Sequence, residues 1–427
     1  MRVLVTGANG FIGTSVVAGL HAAGHEVVAA MRRCAPAAGA RSVIACDFSR
    51  DVDPEIWKQR LAGIDAVVNC AGILRETGTD TFQRVHVDAP LTLFRACAAS
   101  GVRRTIQLSA LGEPDDGEFI ASKHRCDQAL AELDLDWLVL RPGLVYSAHG
   151  AYGGTTLLRA LAAMPGLLVL PSDGSQAICP IALEDLVAAI IAALAQPQRR
   201  AQIIELVGPM RLTLREYLLA WRTWFGLKAT RVVATPRWMS NVAIAFGEWS
   251  GRGPLCRVIA NLLERERVGS ADASAQTQAL LGRAPATLAQ VLAQRPSDSR
   301  DLLQARWYLA RPLLLAALAI VWIGSGMVGF SLSHAVATAA LPGWPEAFVR
   351  VAALLGSLAN IVLGFALLSG WATRRVLGLM LVMVLGYTLL IGIGAPMHWL
   401  DPFGGLLKNI SIVALIAALL ALDTDRR

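Results

Sequence analysis

The chain has 427 residues, enough for two or three domains, and it is too apolar for an ordinary soluble protein. Hydrophobic residues make up 55% of the chain and charged residues only 17%, so we expect membrane-spanning segments. The formal net charge is +7, but Lys and Arg form no dense run and no nucleic-acid-binding module is visible, which excludes nucleic acid as a partner. The seven cysteines include no C-x-x-C pair, which excludes a zinc knuckle.

The N-terminal half alternates strand and helix patterns. Residues 2–6, RVLVT, predict a buried strand, and GANGFIG follows with Gly7, Gly10 and Gly13 ahead of an apolar helix. Glycines permit the tight turn and let backbone N–H groups approach a pyrophosphate at the helix N-terminus. Five more strands are expected near HEVVAAMRR, SVIACD, DAVVNCAG, RTIQLSALG and DWLVLRPGLVY. We therefore predict an α/β fold, a Rossmann-type doubly wound parallel sheet with its ligand at the carboxyl ends of the strands.

The end of the second strand predicts the cofactor. An acidic residue about 20 positions past the glycines would bond the 2′-hydroxyl of NAD, but the chain has Arg32 and Arg33 there. Arginine can bind a 2′-phosphate through two hydrogen bonds, so NADP(H) is favoured over NAD(H). The alternative is that both arginines are solvated loop charges.

These motifs resemble the short-chain dehydrogenase/reductase superfamily, in its extended or atypical branch, over residues 1–208. The matching segments are TGANGFIG, ACDF, NCAG, LSALG, RPGLVY and, farther on, CPIALEDLVAAI. Within the superfamily the chain is most similar to the nucleotide-binding accessory subunit of respiratory complex I and its bacterial relatives.

The resemblance implies a role for each matching position. Asp47 would meet the adenine amine, Ser109 would polarise a substrate carbonyl, and Lys123 would bond the nicotinamide ribose. The stretch from Asn69 to Gly72 would line the path of the ribose and nicotinamide. With Arg32 and Arg33 from the cofactor argument above, the full set of predicted cofactor-binding residues is Gly7, Asn9, Gly10, Phe11, Ile12, Gly13, Arg32, Arg33, Asp47, Phe48, Cys70, Ala71, Gly72 and Lys123.

The chain departs from the family at one position. Active members carry a tyrosine four residues before the lysine, and the lysine lowers the pKa of that tyrosine. This chain has Phe119 at the position of the tyrosine. Phenylalanine cannot donate a proton to a developing alkoxide. Tyr146 is our third candidate catalytic residue beside Ser109 and Lys123, with a packed aromatic as the alternative. Other hydroxyl and imidazole donors close by in the sequence are His124, His149 and Tyr152.

Residues 209–303 predict a basic helical connector. Thr213 and Glu216 form a capping box ahead of a helix. Its expected apolar face comprises Leu214, Tyr217, Leu218, Trp221 and Phe225. The stretch around Trp238, Phe246 and Trp249 could lie on a membrane surface or cap the substrate site. Residues 293–301, AQRPSDSRD, predict a hinge before the first membrane span.

Residues 304–427 predict a four-helix transmembrane domain. No formal charge occurs between residues 311 and 346, 350 and 374, or 375 and 401, and each gap exceeds the roughly 20 residues that cross a bilayer. A fourth, weaker candidate carries Lys408 near its start. We place the spans at about 312–332, 350–370, 376–396 and 404–422. The tail resembles DoxX-like four-helix membrane domains, a likeness that rests mainly on hydropathy.

The loop charges predict the orientation in the membrane. Arg374 and Arg375 lie between the second and third spans. Further arginines precede the first span at Arg306 and Arg311 and end the chain at Arg426 and Arg427. The positive-inside rule therefore places the nucleotide domain and both termini in the cytoplasm, with a multi-pass domain in the inner membrane.

Two functions remain open at this stage. Ser109 and Lys123 favour a membrane-tethered NADPH reductase of a lipophilic carbonyl or quinone. Phe119 favours a non-catalytic NADPH-binding sensor or assembly module of a membrane protein complex. A nucleotide-sugar epimerase would need the missing tyrosine and gains nothing from the membrane tail. The expected partners are the lipid bilayer and either a lipophilic small molecule or a membrane protein complex.

Overall fold

The computed structural model describes residues 1–171, 173–196, 201–228, 231–236, 238, 241–242, 244–245, 257–264, 266, 268–331, 343–402 and 404–422. The chain divides into two compact units, Met1–Arg306 and Trp307–Arg427. The finer domain boundaries that the sequence suggests, after residues 208 and 303, stay predictions.

A seven-stranded parallel sheet forms the centre of the first unit. Its strands are β1 (Arg2–Thr6), β2 (Glu26–Met31), β3 (Ser42–Ala45), β4 (Ala66–Asn69), β5 (Arg104–Leu108), β6 (Asp136–Pro142) and β11 (Gln202–Leu206). They lie in the order β11-β6-β5-β4-β1-β2-β3, and every neighbouring pair is parallel. The order reverses between β1 and β4, and ligands of doubly wound sheets bind at such a switch point. The predicted fold is confirmed.

Helices cover both faces of the sheet. They are α1 (Phe11–Ala22), α2 (Pro54–Arg60), α3 (Ala89–Ser100), α4 (Glu118–Ala131) and α6 (Leu183–Ala195), together with a six-residue π-helix, Gln83–Asp88. On one face Val3 and Val5 of β1 pack with α1 and α6. On the other face Leu4 packs with α2, α3 and α4. The strands are therefore buried on both sides, which explains their continuous apolar sequences.

Smaller elements extend the carboxyl edge of the sheet. They are α5 (Gly154–Ala162) and the strands β7 (Val145–Tyr146), β8 (Leu167–Pro171), β9 (Ala177–Ile178), β10 (Ile181–Ala182), β12 (Leu212–Thr213) and β13 (Arg231–Thr235). They form three two-stranded sheets, β7 with β10, β9 with β12, and β8 with β13. After β6 the chain forms these small sheets and rejoins the seven-stranded sheet at β11, which pairs with β6.

The first connector helix, α7 (Leu214–Trp224), forms as predicted. The Thr213 hydroxyl accepts from the Glu216 N–H, and the Glu216 carboxylate accepts from the Thr213 N–H at 2.7 Å. The five residues of the expected apolar face are all buried. Short helices follow at Arg257–Glu264, Ala273–Leu281 and Leu288–Gln294. Trp238 is exposed, whereas Phe246 and Trp249 lie outside the described residues.

The predicted hinge at residues 293–301 is instead a bonded segment. Trp224 Nε1 donates to the Arg295 carbonyl at 2.6 Å, and the Ser297 hydroxyl donates to the Trp224 carbonyl. Arg295 also pairs with Asp301 at 3.0 Å, and Arg159 of α5 approaches the same carboxylate at 3.5 Å. Buried, charge-assisted contacts of this kind hold a segment in place, which a stretch of Pro, Ser and Asp does not reveal in sequence.

The second unit contains long apolar helices. Ser299–Ser331, which starts in the first unit, Glu346–Ser369 and Thr373–Gly394 are long and apolar enough to cross a membrane. Large apolar side chains such as Leu313, Val382 and Ile393 are exposed on them, as expected for lipid-facing positions. The last helix, Leu407–Leu422, is apolar but has 16 residues, fewer than the roughly 20 that a span requires. Three spans are thus supported, and the fourth stays a prediction.

Small residues let the first two of these helices approach closely. A Cβ atom at Gly326 would lie 2.6 Å from the Ser357 carbonyl oxygen, and one at Gly364 would lie 2.6 Å from the Ile323 side chain. Close backbone approach at glycine is typical of helix packing in membranes. Residue 332, the end of the first predicted span, lies outside the described residues.

Candidate functional site

The glycine turn after β1 closely contacts the segment after β4. Gly7 has φ +64°, and a Cβ atom there would lie 2.8 Å from the Ala71 backbone. A Cβ atom at Gly13 would lie 2.1 Å from the Gly7 carbonyl oxygen. Only glycine therefore fits both positions. The turn leads into the N-terminus of α1 at Phe11, where free N–H groups and the helix dipole favour a phosphate.

A cleft of about 290 Å³ opens beside this turn at the carboxyl edge of the sheet. It is lined by nine of the predicted site residues, Gly10, Phe11, Ile12, Gly13, Cys70, Ala71, Gly72, Ser109 and Lys123. Phe119 also lines the cleft. So do Tyr152 and Thr155, which follow β7 in the chain. The structure therefore brings the end of β4, the end of β5 and helix α4 together around one cavity.

Lys123 is held at the base of the cleft. Its Nζ donates to the Leu108 carbonyl at 3.1 Å, and the residue is 6% exposed. Burial lowers the pKa of the ammonium group, while the nearby Asp127 carboxylate opposes that shift. A lysine in this state can bind a ribose hydroxyl at neutral pH and keep its position without a bound ligand.

Ser109 is bonded to a carboxylate that lies behind the cleft wall. The Ser109 hydroxyl is 2.8 Å from Asp127 Oδ2, and the Arg141 guanidinium donates to the same oxygen from Nε at 3.0 Å and Nη2 at 2.9 Å. The Asp127 side chain is fully buried, and burial raises the pKa of its carboxyl, which the bonds from Ser109 and Arg141 oppose. Asp127 was not among the residues that the sequence singled out.

A neutral histidine, His86, is connected to the Phe119 backbone through hydrogen bonds. His86 Nε2 accepts from the Ile73 N–H at 3.0 Å, so Nδ1 carries the proton and donates to the Ser122 hydroxyl at 2.9 Å. Ser122 in turn donates to the Phe119 carbonyl at 3.1 Å. Burial and the nearby Lys123 charge hold the pKa of His86 well below its usual value. The histidine is therefore a structural donor and acceptor with a fixed tautomer.

Asn69 anchors the loop that follows β4. Its Nδ2 donates to Gln107 Oε1 at 2.7 Å, and its Oδ1 accepts from the Ala71 N–H at 3.2 Å. This loop presents Cys70, Ala71 and Gly72 to the cleft. Burial raises the pKa of the Cys70 thiol to about 12, so the group stays neutral near physiological pH.

The residues predicted to bind the adenosine half of the cofactor do not line this cleft, and Arg32 and Asp47 among them already have polar partners. Arg32 Nη1 bonds Asp80 Oδ2 at 2.6 Å, and its Nε lies 3.9 Å from Asp47 Oδ1. Asp47 also accepts from the Ser49 N–H and hydroxyl, at 3.0 and 2.8 Å. Arg33 is exposed. Asp80 therefore competes with any ligand phosphate for Arg32, a pairing that a separation of 48 residues conceals.

Three other predicted residues do not line the cleft. Asn9 is exposed in the glycine turn, and Gly7 lies beneath it against Ala71. Phe48 is buried against Trp57, with ring centroids 6.0 Å apart, so only its backbone is available to a nucleotide.

Tyr146 lies outside the cleft. The residue is 1% exposed, and its ring packs edge-on to Tyr217 and Trp221 at 6.1 and 6.4 Å. Its hydroxyl has no hydrogen-bond partner among the described residues, and burial raises its pKa. This placement agrees with the alternative that Tyr146 is a packed aromatic residue. Successive side chains of a strand point to opposite sides, so in β7 Val145 faces the cleft and Tyr146 points away from it.

The other suggested donors differ in their surroundings. Tyr152 lines the cleft and is 59% exposed. His149 is exposed, and its backbone N–H donates to the Ser147 hydroxyl. His124 is buried on α4, and burial together with the Arg141 charge lowers its pKa. Of these residues, Tyr152 alone shares the cavity with Ser109 and Lys123.

The missed residue Asp127 did leave a signal in the sequence. It stands four positions after Lys123, a spacing that puts both residues on one face of a helix. A buried face carrying an acid beside a lysine predicts a polar network. His86 and Asp80 had no comparable signal, because their partners come from other elements.

The fold and the cleft define a nucleotide-binding Rossmann-type oxidoreductase of the short-chain dehydrogenase/reductase kind. Residues 3–206 match the NAD dependent epimerase/dehydratase family, and residues 319–417 match the DoxX-like family. The chain belongs to the NAD dependent epimerase/dehydratase family and carries a DoxX-like membrane domain. The predicted likeness to both groups is confirmed.

Individual relatives agree with this assignment. An Epimerase family protein of Mycobacterium bovis is 31% identical over 62% of this chain and 91% of its own length. A 2′-dehydrokanamycin reductase of Streptomyces kanamyceticus is 26% identical over 68% of this chain and 92% of its own. A UDP-glucuronic acid 4-epimerase of Bacillus cereus, solved in complex with NAD, shares the fold with a TM-score of 0.52, at 19% identity over 72% of this chain and all (100%) of its own.

Proposed function

We propose that the protein is a membrane-anchored reductase that uses NADPH to reduce a lipophilic carbonyl or quinone. The observation that carries the proposal is the composition of the cleft. Beyond the glycine turn, the hydroxyl and amino groups in its lining are those of Ser109, Lys123, Tyr152 and Thr155, and most of the remaining lining is apolar. The apolar side chains among its lining include Ile73, Leu74, Leu111, Phe119, Leu144, Val145, Ile178 and Leu214. An apolar substrate fits such walls, whereas the hydroxyls of a sugar nucleotide would need hydrogen-bond partners.

The described residues fit a nicotinamide dinucleotide. A Cβ atom at Gly7 would collide with the Ala71 backbone and one at Gly13 with the Gly7 carbonyl, so these glycines permit the tight turn that brings the N-terminus of α1 to the cleft, where a pyrophosphate would bind. Cys70 to Gly72 and Lys123 would hold the ribose and nicotinamide beside Ser109. When bound in its reduced form, the cofactor supplies a hydride. The chain's own part is to orient the carbonyl, to exclude water with apolar walls and to deliver a proton.

We favour NADP(H) over NAD(H), because β2 is followed by two arginines and by no acidic residue at the position that would bind the 2′-hydroxyl of NAD. Arg33 is exposed and Arg32 is half exposed, so a 2′-phosphate could reach both. The phosphate would have to displace Asp80 from Arg32, and exposed ion pairs are worth only about 0–1 kcal/mol. A doubly charged phosphate between two guanidinium groups outweighs that loss.

The names of the relatives favour reduction over epimerisation. The relative from Streptomyces kanamyceticus and a second one, from a Streptomyces species and 30% identical over 72% of its own length, are both called reductases. Epimerases need a proton donor and acceptor at the substrate, and Phe119 offers neither. A protein anchored in a bilayer by a DoxX-like domain meets substrates that partition into lipid, which suits a lipophilic carbonyl.

NADPH oxidation by the full-length protein in lipid nanodiscs tests this proposal. Menadione and decyl-ubiquinone serve as lipophilic probes, and UDP-glucuronic acid tests sugar-nucleotide chemistry. We expect turnover with a quinone that Ser109→Ala reduces strongly, while Asp134→Asn, an exposed acid outside the cleft, leaves it unchanged. Conversion of UDP-glucuronic acid without quinone turnover would contradict the proposal.

A second function, that of an NADPH-binding sensor or assembly module, has one observation in its favour. The Ser109 hydroxyl is bonded to Asp127, and Phe119 occupies the position of the missing acid. NADPH binding by the full-length protein with no turnover of any carbonyl would support this module. A membrane protein complex would then be its partner.

The location we propose is the inner membrane, with the nucleotide unit and both termini in the cytoplasm. The DoxX-like match and three apolar helices support a membrane protein. The side of the membrane follows from the arginines around residue 374, which the positive-inside rule places in the cytoplasm.

A further inference from the structure

We propose that Asp127, acting through the hydroxyl of Ser109, is the proton donor that replaces the missing tyrosine. Ser109 faces the cleft and Asp127 lies directly behind it, 2.8 Å away. The inference rests on the proposed function, because a proton is needed only if a carbonyl is reduced here. Asp127 is accordingly a relay residue that acts on the substrate through Ser109.

The geometry connects a buried acid to the cavity through one hydroxyl. Asp127 Oδ2 takes the contacts of Ser109 and Arg141, while Oδ1 has no hydrogen-bond partner among the described residues. A buried carboxylate with one bare oxygen is poorly solvated and is stabilised by taking up a proton. The relay uses this proton when it lies on Oδ2, the oxygen that Ser109 contacts and to which the serine hydroxyl donates when Asp127 is ionised.

The charges around Asp127 act in both directions. Arg141 of β6 and Lys123 of α4 favour the carboxylate and lower its pKa, as does the bond from Ser109. Full burial raises the pKa and outweighs them. His124 and Cys126 precede Asp127 on α4 and feel its charge, and Glu113 also acts on His124. The acid therefore sits between two cations that stabilise the carboxylate once the proton has left.

The proton balance of the step is simple. The substrate oxygen, negative after hydride addition, takes the Ser109 hydroxyl proton. Ser109 Oγ takes the proton of Asp127 as the O–H bond at the carboxyl breaks, and the electron pair stays on the carboxylate beside Arg141. The carboxylate regains a proton from solvent between turnovers. Oxidation and reduction belong to the hydride transfer alone, and the relay moves only protons.

The other candidate donors are less well placed. Tyr146 is buried among aromatic rings outside the cleft. Tyr152 lines the cleft but is 59% exposed, so solvent competes for its hydroxyl. Lys123 is committed to the Leu108 carbonyl and to the proposed ribose contact. Among these candidates, Asp127 is the one whose carboxyl has a raised pKa and contacts a hydroxyl of a residue that lines the cavity.

Infrared spectroscopy of the full-length protein with NADPH tests whether Asp127 holds a proton. A protonated Asp127 gives a carboxylic-acid carbonyl band, which the Asp127→Asn spectrum identifies by its loss. This band should persist as the pH rises above the usual aspartate pKa of about 3.9. Ser109→Ala should move that titration to higher pH, since the hydroxyl favours the carboxylate. A carboxyl that titrates at or below its usual value would overturn the proposal, whether or not any probe substrate is turned over.

Kinetics with menadione separate a relay from a structural role. Asp127→Asn and Ser109→Ala should each lower kcat about 10²–10⁴-fold, leave the Kd for NADPH unchanged and combine without further loss, because they act as one unit. Ser109→Thr keeps a hydroxyl and should retain most activity. Asp134→Asn is the matched control for charge.

A bypass experiment gives the sharpest distinction. Phe119→Tyr in the Asp127→Asn background should restore turnover, since a tyrosine beside Lys123 supplies its own proton. A merely structural Asp127 would not be rescued in this way. If the parent turns over no quinone, the proposed function fails, and the infrared titration still decides whether Asp127 is the acid.

Discussion

The Phe119 ring lies edge-on to the His86 imidazole, with ring centroids 5.5 Å apart and an interplanar angle of 80°. Phe82 stacks on the imidazole at 5.3 Å and lies edge-on to Phe119 at 6.1 Å, and Lys123 Nζ lies 5.9 Å from the Phe119 ring centroid. The position of the missing tyrosine is therefore filled by a well-packed aromatic ring beside the cleft. This ring offers no hydroxyl to the cleft.

Phe119→Tyr should change quinone reduction by less than about threefold in the parent. The relay through Ser109 already supplies the proton, and a second donor adds little once proton transfer is not limiting. Steady-state kcat with menadione measures the effect. An increase of about 10²-fold or more would show instead that the parent lacks a working acid, and would contradict the Asp127 relay.

Tyr146→Phe should leave kcat unchanged and stabilise the protein. The Tyr146 hydroxyl is buried without a hydrogen-bond partner among the described residues, and removing such a group gains about 1–3 kcal/mol. Thermal unfolding of the detergent-solubilised chain, with kcat measured in parallel, provides the test. Tyr152→Phe is the matched control, because Tyr152 lines the cleft. Loss of turnover in Tyr146→Phe alone would make Tyr146 the donor.

Replacing Arg32 and Arg33 with alanine should weaken NADPH binding about ten- to a hundredfold and leave NADH binding nearly unchanged. The range corresponds to the roughly 1.5–3 kcal/mol of a charge-assisted contact. Asp80→Asn should have the opposite effect, a few-fold gain for NADPH, because it frees Arg32 from its 2.6 Å pairing. Titration calorimetry with both cofactors measures each Kd. Equal affinities of the parent for NADPH and NADH would rule out the preference.

The stability of the nucleotide unit should fall as the pH drops below about 6.5, the usual histidine pKa. His86 has a depressed pKa in the folded state, so the unfolded chain binds a proton that the folded chain does not. The stabilisation is complete above the unfolded pKa and is lost at up to about 1.4 kcal/mol per pH unit as the pH falls toward the folded pKa. Burial depresses the pKa of His25 and His124 in the same direction.

His86→Asn should therefore flatten this pH dependence without abolishing it. Asparagine can keep the donor to Ser122 and lose the charge that low pH imposes. Unfolding midpoints at about pH 7.5 and pH 5.5 compare the two proteins across the histidine range. His21→Asn is the control, since His21 is exposed on α1. A parent-like slope in His86→Asn would exclude His86 as the source.

Reporter fusions should place the C-terminus in the cytoplasm. An even number of spans returns the chain to the side of its N-terminus, and Leu407–Leu422 would be the fourth span despite its 16 residues. Lys408, near its start, can extend to the interface and shorten the required apolar length. Fusions near residues 343 and 374 and after the last helix test each crossing. A periplasmic C-terminus would leave the three long helices as the only spans among the described residues.

The sequence by itself determined the fold class, the cleft edge and the membrane helices. These follow from local patterns: glycines that permit a turn at Gly7, continuous apolar strands, and charge-free stretches longer than a bilayer. The capping box at Thr213 was equally local, since both partners lie within one turn.

Tertiary structure decided which side chains meet. Asp80 reaches Arg32 across 48 residues, and Trp224 reaches the Arg295 carbonyl across 71, so a bonded segment replaces the predicted hinge. Tyr146 is turned away from the cleft by the alternation of a two-residue strand, which a hydroxyl near the end of a strand does not reveal. Asp127 gains its proposed role because burial raises its carboxyl pKa while Ser109 and Arg141 contact the same oxygen. Burial and long-range pairing arise only when the elements pack, and a linear pattern carries neither.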